Sequence, residues 1–379
     1  MLKKILSFAV AIILATANIP IAYAREYPVL STDSKAALLM EFETGEILYA
    51  SNEHEKLPMA SVTKIMSILL VVEALEAGTV SFDDIVTASA HASQMGGSQI
   101  YLKENEKMSL RDMLKSVVVA SANDACVALG EHLAGSETEF VARMNSRATE
   151  LGMKDTSFIN CTGLDAEGHY TTAYDIAVMS RELLSHELIY EFTTIWTDSV
   201  RGGEFGLTNT NKLIRFYQGA NGLKTGSTDD AKFCVSAAAK RGDMQLIAVV
   251  LGSSTGAARF EAAKTMLNYG FSNFKLLSLE LPELPMIEVS NGRSELIQLG
   301  AHMPEKLLVE KSFSQKPEFV IEIPESVTAP IEAGDEVGKI SWVAGEDIIY
   351  TTGIHATEAV EKRSFGFCLS LLLKKFLHM

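Results

Sequence analysis

The chain has 379 residues, with 33 Lys and Arg against 48 Asp and Glu, giving a net charge of −15 at neutral pH. Almost half of it (47%) is hydrophobic and only 21% is charged, the balance of a folded chain rather than a disordered one. An acidic protein without a basic, aromatic-interleaved stripe is poorly suited to neutralising phosphates, so no nucleic-acid partner is expected.

Taken in chain order, the first segment is a targeting signal. Met1-Leu2-Lys3-Lys4 is basic, residues 5–21 are apolar, and Ala22-Tyr23-Ala24 fits a small-x-small cleavage site. This predicts a secretory signal peptide over residues 1–24, cut after Ala24, and hence an exported protein.

Residues 25–275 hold three short strings in fixed order: Ser61-Val62-Thr63-Lys64, Ser121-Ala122-Asn123 and Lys224-Thr225-Gly226. The first opens a run from Ile65 to Leu75 that is too apolar for a surface helix, which predicts a buried central helix with Gly78 as its stop. A serine in its first turn would sit at the positive end of the helix dipole, and Lys64, three residues on, would share its face. The second string joins a helix capped by Ser109 to another starting near Asp124. The third starts a strand, followed by a hairpin of core strands, 232–239 and 244–251, closed by an Arg241-Gly242-Asp243 turn. A helix beginning near Ala257 carries Arg259 on its first turn.

Together the strings supply a nucleophilic serine, a lysine whose pKa burial would lower, a relay hydroxyl, and a cationic strand open to a substrate backbone. These are the parts of an acyl-transfer site that has no catalytic histidine. Taken singly, an N-capping serine followed by an ordinary surface lysine would explain the first string, and a helix connection with Asn123 as N-cap the second.

With the stretches around them, these strings resemble the serine D-alanyl-D-alanine carboxypeptidases, the low-molecular-mass penicillin-binding proteins. The resemblance runs through Leu57–Met66, Ala120–Cys126, Gly163-Leu164-Asp165 and Gly222–Gly226 to Gly270-Phe271. It implies an α/β (α+β) catalytic domain of β-lactamase/transpeptidase type, an antiparallel sheet flanked by helices. Ser61 would be the acylated nucleophile, Lys64 its base and Ser121 the proton relay. Asn123 would orient the peptide, while Lys224, Thr225 and Arg259 would bind the substrate carboxylate. Gly226 would let the substrate backbone approach, and the N–H groups of Ser61 and Ser227 would form the oxyanion hole. The substrate implied is a peptidoglycan pentapeptide, with β-lactam antibiotics as covalent inhibitors and no cofactor. Two positions depart from related patterns: Ala122 stands where β-lactamases usually carry Asp, and Ser227 where some members have His. A class A β-lactamase would also need a Glu-x-x-Leu-Asn loop, and no such string precedes Lys224.

From 276 to 355 prolines and short alternating runs such as Phe319–Ile323 predict a separate β-rich domain with small antiparallel strands. Residues 356–379 predict an amphipathic helix that places Phe365, Cys368, Leu369, Leu372 and Phe376 on one face, with Lys362, Arg363, Lys374 and Lys375 adding positive charge. Too short to span a bilayer, it is expected to lie in a membrane surface on the extracytoplasmic side, as the family commonly does. The cysteines at 126, 161, 234 and 368 are expected to be mostly buried free thiols. The eight histidines form no His-x-x-x-His string, so no catalytic metal is expected.

Overall fold

The structure, a computed structural model, describes residues 27–345 and 347–377; the expected signal peptide and its cleavage site lie outside the described residues. The larger, N-terminal part is built on five antiparallel strands, β1 (Ala36–Glu41), β2 (Ile47–Ser51), β3 (Ala220–Thr228), β4 (Lys232–Arg241) and β5 (Met244–Ser253), in the order β2-β1-β5-β4-β3. β1 shows why the sheet forms. Leu38 and Met40 join the core on one face, Ala37 and Leu39 the core on the other, which is the period-two alternation of a strand covered on both sides. The hairpin expected between β4 and β5 is present, with Arg241 paired to Met244 and Gly242 at φ +60 in its turn.

Helices cover both faces. α1 (Lys64–Glu76) runs through the larger core, burying Ile65, Met66, Leu69 and Val72. α2 (Leu110–Ala120) is capped by the Ser109 hydroxyl, which accepts from the Asp112 N–H, and α3 (Asn123–Ala134) follows after two residues. α4 (Glu137–Glu150) and α5 (Ala173–Ser185) complete this side, while α6 (Gly256–Asn273) lays Phe260, Ala263, Met266 and Leu267 on the opposite face. The sequence reading differs at the start of α1. Ser61 lies in a 3₁₀ turn, Ala60–Thr63, and the regular helix begins only at Lys64. A tighter lead-in turn of this kind is common at helix N-termini.

Strand Phe274–Ser278 pairs with Lys306–Glu310 and so straddles the expected domain boundary at 275/276. Beyond it lies a β-domain with its own core of Ile287, Val289, Ile297, Leu299, Ile340, Trp342, Ile354 and Val360. Its strands are mostly antiparallel, as expected, but Ile287–Ser290 pairs in parallel with Ser326–Thr328. The last helix, α7, spans Phe365–Leu377 rather than starting at 356, because Val360 bridges Ile331 and Lys362 bridges Gly292, which ties this segment to the β-domain.

Candidate active site

The Ser61 turn is held in an unusual backbone state. Ala60 has φ +48, in the left-handed region, which costs a non-glycine residue ~1–2 kcal/mol. Lys64, fully buried at the start of α1, donates from Nζ to Ser61 Oγ at 2.8 Å and to the Thr162 carbonyl at 2.6 Å. Burial pushes its pKa from 10.5 down to about 8, with the nearby Cys126, Cys161 and Asp124 opposing the shift. The amine beside the serine hydroxyl is therefore available as a neutral proton acceptor just above neutrality.

The second and third strings meet each other. Ser121 caps α2 in a left-handed conformation, φ 62, so its side chain turns out of the helix line towards β3. There Lys224 Nζ, also buried, donates to Ser121 Oγ at 2.8 Å and to the Thr225 carbonyl at 2.9 Å. Burial first, and then the charges of Lys64 and Arg259, hold Lys224 well below the usual lysine range. Asn123 is the first residue of α3 rather than its cap, which is Ala122. Its amide donates to the Gly96 carbonyl at 2.7 Å, and its Oδ1 is buried without a partner.

β3 brings the third string to the first. At Gly226 a Cβ would lie 2.8 Å from the Ser61 nitrogen and 2.9 Å from the Ala60 Cβ, so only glycine lets the edge strand run this close to Ser61. Thr225 Oγ1 donates to Thr210 Oγ1 at 2.7 Å, and Ser227 is exposed on the strand. Arg259, on the first turn of α6, donates to the carbonyls of Gly226 at 2.8 Å and Cys234 at 3.2 Å, while its Nε is buried and unpartnered. Burial lowers its pKa to about 10. All nine expected residues thus fall on three elements in mutual contact: the Ser61 turn, the α2–α3 junction, and β3 with its α6 brace.

Two family profiles match the chain. The family profile described as D-alanyl-D-alanine carboxypeptidase matches residues 22–255, and that of the penicillin-binding protein 5 C-terminal domain matches residues 283–362. The D-alanyl-D-alanine carboxypeptidase DacF of Bacillus subtilis is 40% identical over 374 residues, covering 96% of each chain. The chain belongs to the D-alanyl-D-alanine carboxypeptidase family. Among solved structures, penicillin-binding protein 5 of Haemophilus influenzae superposes with a TM-score of 0.80 at 28% identity, covering 89% of this chain and all of the other. Penicillin-binding protein D2 of Listeria monocytogenes, solved in its ampicillin-bound form, superposes with a TM-score of 0.60 at 33% identity, covering 64% of this chain and all of the other.

This carboxypeptidase, a serine-type hydrolase, surrounds its site with residues that the three strings do not announce. Asn160 organises the turn that receives Lys64: its Oδ1 accepts from the N–H and hydroxyl of Thr162 and from the Gly163 N–H, and its amide donates to the Leu164 carbonyl. Asp165 then ties this loop to the end of β3 through the Thr228 hydroxyl at 2.6 Å. The Asn160-Cys161-Thr162-Gly163 sequence is a turn signal, but nothing in it says that its carbonyl will meet a lysine 98 residues away. Thr210 and Gly96 are likewise visible only in three dimensions. Among the described residues one group, Glu73, Glu182 and His186, has a spacing that could hold a metal ion. None of it belongs to the three strings, and Arg147 pairs with both of its carboxylates, at 2.8 and 2.5 Å. Cys126, Cys161 and Cys234 are buried and free, and Cys368 is free and exposed.

Proposed function

We propose that Ser61 carries the acyl group in a two-step removal of the terminal D-alanine from peptidoglycan pentapeptide stems. Ser61 Oγ attacks the carbonyl of the penultimate residue and its proton passes to Lys64 Nζ, in its neutral form. As the peptide bond breaks, Ser121 hands its proton to the departing D-alanine amine and takes in its place the one held by the Lys64 ammonium, which returns Lys64 to its neutral form, while Lys224 holds the Ser121 hydroxyl in place. Water then attacks the ester, giving a proton to neutral Lys64, which passes it to Ser61 Oγ as the ester bond breaks and the shortened stem leaves. The N–H groups of Ser61 and Ser227 stabilise the oxyanion in both steps. Asn123, whose Oδ1 is buried without a partner, accepts a substrate N–H. Lys224, Thr225 and Arg259 bind the terminal carboxylate, and Gly226 leaves room for the peptide along β3.

The observation that carries this reading is the buried Lys64 amine 2.8 Å from Ser61 Oγ, with the Lys224–Ser121 contact, also 2.8 Å, closing the other side. A strained β-lactam amide presents the same carbonyl and carboxylate, so penicillin is expected to acylate Ser61, in keeping with the ampicillin complex of the Listeria relative. The signal peptide expected from the sequence and the exposed apolar side chains of α7 support a reading in which the enzyme works at the extracytoplasmic face of the membrane, with α7 lying in its surface. In the decisive test Ser61→Ala is assayed for D-alanine release from a pentapeptide and for covalent labelling by fluorescent penicillin. Both should vanish while the protein stays folded. Labelling that persists and maps to another serine would overturn the assignment.

A further inference from the structure

His169 is buried, 6% exposed, at the end of the loop that follows the Gly163-Leu164-Asp165 turn. Its two ring nitrogens have different partners, and the partners fix where its proton sits. Nδ1 is 3.0 Å from the backbone N–H of Ile159. An amide N–H can only donate, so Nδ1 must present its lone pair. In the neutral ring the single proton is then on Nε2, which lies 2.8 Å from Thr63 Oγ1. The Thr63 hydroxyl, accepting that proton, is free to donate its own to the Ala60 carbonyl, 2.8 Å away. The result is one directional chain: Ile159 N–H to Nδ1, Nε2–H to Thr63 Oγ1, Thr63 O–H to Ala60 O.

The chain ends where the nucleophile's geometry is set. Ala60 is the left-handed residue before Ser61, and its carbonyl is also crowded by Gly163, where a Cβ would fall 1.9 Å from it and 2.8 Å from Thr63 Oγ1. The neighbouring Thr162 carbonyl receives Lys64. Segment 169–171 is itself anchored on two sides: Tyr170 bridges Ser157, and Thr171 bridges Leu57, shortly before Ser61. The imidazole therefore joins these two bridges to the carbonyl of the left-handed residue that precedes Ser61.

We infer that His169 is a positioning residue for acylation, acting through Thr63 and Ala60 to hold the Ser61 turn in its left-handed, reactive geometry. It touches neither substrate nor Ser61. Its action requires the neutral ring with the proton on Nε2, because an imidazolium would set a second donor against the Ile159 N–H. Burial, opposed only in part by the Asp165 charge, holds its pKa down to about 4, so the required form prevails across neutral pH. The inference rests on Ser61 being the nucleophile, and its test is arranged so that the two can fail separately.

The test is a double-mutant cycle on acylation by fluorescent penicillin, resolving noncovalent binding from the acylation rate constant. His169→Phe keeps the ring volume and removes both polar contacts, while Thr63→Val removes the hydroxyl. Each should lower the acylation rate constant by about 10- to 100-fold, the scale of loss when a reacting group is misplaced by about 1 Å, with little change in the binding constant. Because both act through one chain, the double variant should be no slower than the slower single. Thr63→Ser and His169→Gln, whose amide offers an acceptor and a donor without charge, should recover most of the rate. Independent, additive losses, unchanged acylation in His169→Phe, or losses confined to binding would each overturn the inference. Should His169→Phe unfold, the Thr63→Val and His169→Gln arms decide it alone. If penicillin labels a serine other than Ser61 in the parent enzyme, it is the nucleophile assignment that has failed.

Discussion

At the scale of single residues, the site depends on a lysine whose charged form the fold itself disfavours. Lys64 has its pKa lowered from 10.5 to about 8 by burial. Since 10.5 − 8 is 2.5 pH units, its protonation in the folded state costs on the order of 3 kcal/mol relative to the unfolded chain. The sign follows: between pH 8 and 10.5 the unfolded chain binds more protons, so stability should rise with pH across that window. Lys64→Met should flatten this rise and increase stability at pH 7, as calorimetry across the pH range would reveal; an unchanged profile would mean the amine is not desolvated. Acylation should climb with pH through about 8 as the base loses its proton, and Lys64→Arg, charged at all working pH values, should fall by several orders of magnitude. Arg259 poses a different question, because it braces the Gly226 and Cys234 carbonyls as well as facing the site. If it also binds the substrate carboxylate, Arg259→Gln should reduce kcat/KM for free-acid peptides far more than for C-terminally amidated ones. Equal losses would confine it to bracing the strand. The three strings were legible as candidates because acyl transfer without histidine calls for particular side chains at short spacing, whereas the proposed roles of Ser227 and Arg259 came only with the family resemblance. The chain through His169 was not: its members lie 106 and 10 residues from their partners, and a lone histidine announces nothing.

At the scale of elements, the catalytic geometry comes from backbone that approaches other backbone too closely for side chains. Gly163 and Gly226 are the two contact points, one against the Ala60 carbonyl and one against the Ser61 nitrogen. Gly78, which ends α1 at φ +69, has open space around it. Gly163→Ala should therefore lose more stability than Gly78→Ala: both meet the left-handed penalty of ~1 kcal/mol, but only the first also drives a methyl into a carbonyl. It should reduce penicillin acylation as well, whereas Gly78→Ala should leave acylation intact; similar thermal shifts for the pair would show that the turn can yield. The helices and the β4–β5 hairpin could be read from apolar periodicity and turn residues, since those signals are local. The 3₁₀ start at Ala60, the left-handed Ser121 and the parallel pair in the β-domain could not, because each is imposed by long-range contact against local preference.

At the scale of the whole molecule, α7 is the feature whose chemistry faces away from every core. Phe365 is 85% exposed and Phe376 79%, with Leu369, Leu371, Leu372, Leu373 and Leu377 also open to solvent. That is an apolar surface of a kind soluble proteins rarely leave bare. With 13 residues the helix is about 20 Å long, short of the ~30 Å of a bilayer's hydrocarbon core. Among the described residues no helix is long and apolar enough to cross a membrane. Burying its apolar side chains in a membrane surface would be worth several kcal/mol, at about 0.8 kcal/mol per buried CH₂, and Lys374 would add attraction to anionic lipid. The position of the cut that tests this comes from the structure. Removing everything after Thr357 would strip Val360 from the β-domain core, along with its bridge to Ile331 and the Arg363 N–H donated to Asn291. Truncation after Ser364 keeps all three. That protein should remain folded, release D-alanine from a soluble pentapeptide with unchanged kcat/KM, and fail to float with vesicles containing anionic phosphatidylglycerol, which the full chain should do. Because every active-site residue lies before α6 ends, its loss of activity on membrane-linked substrate should reflect lost localisation alone. A truncated protein that still floats, or a full-length chain that does not, would assign α7 to another partner than lipid.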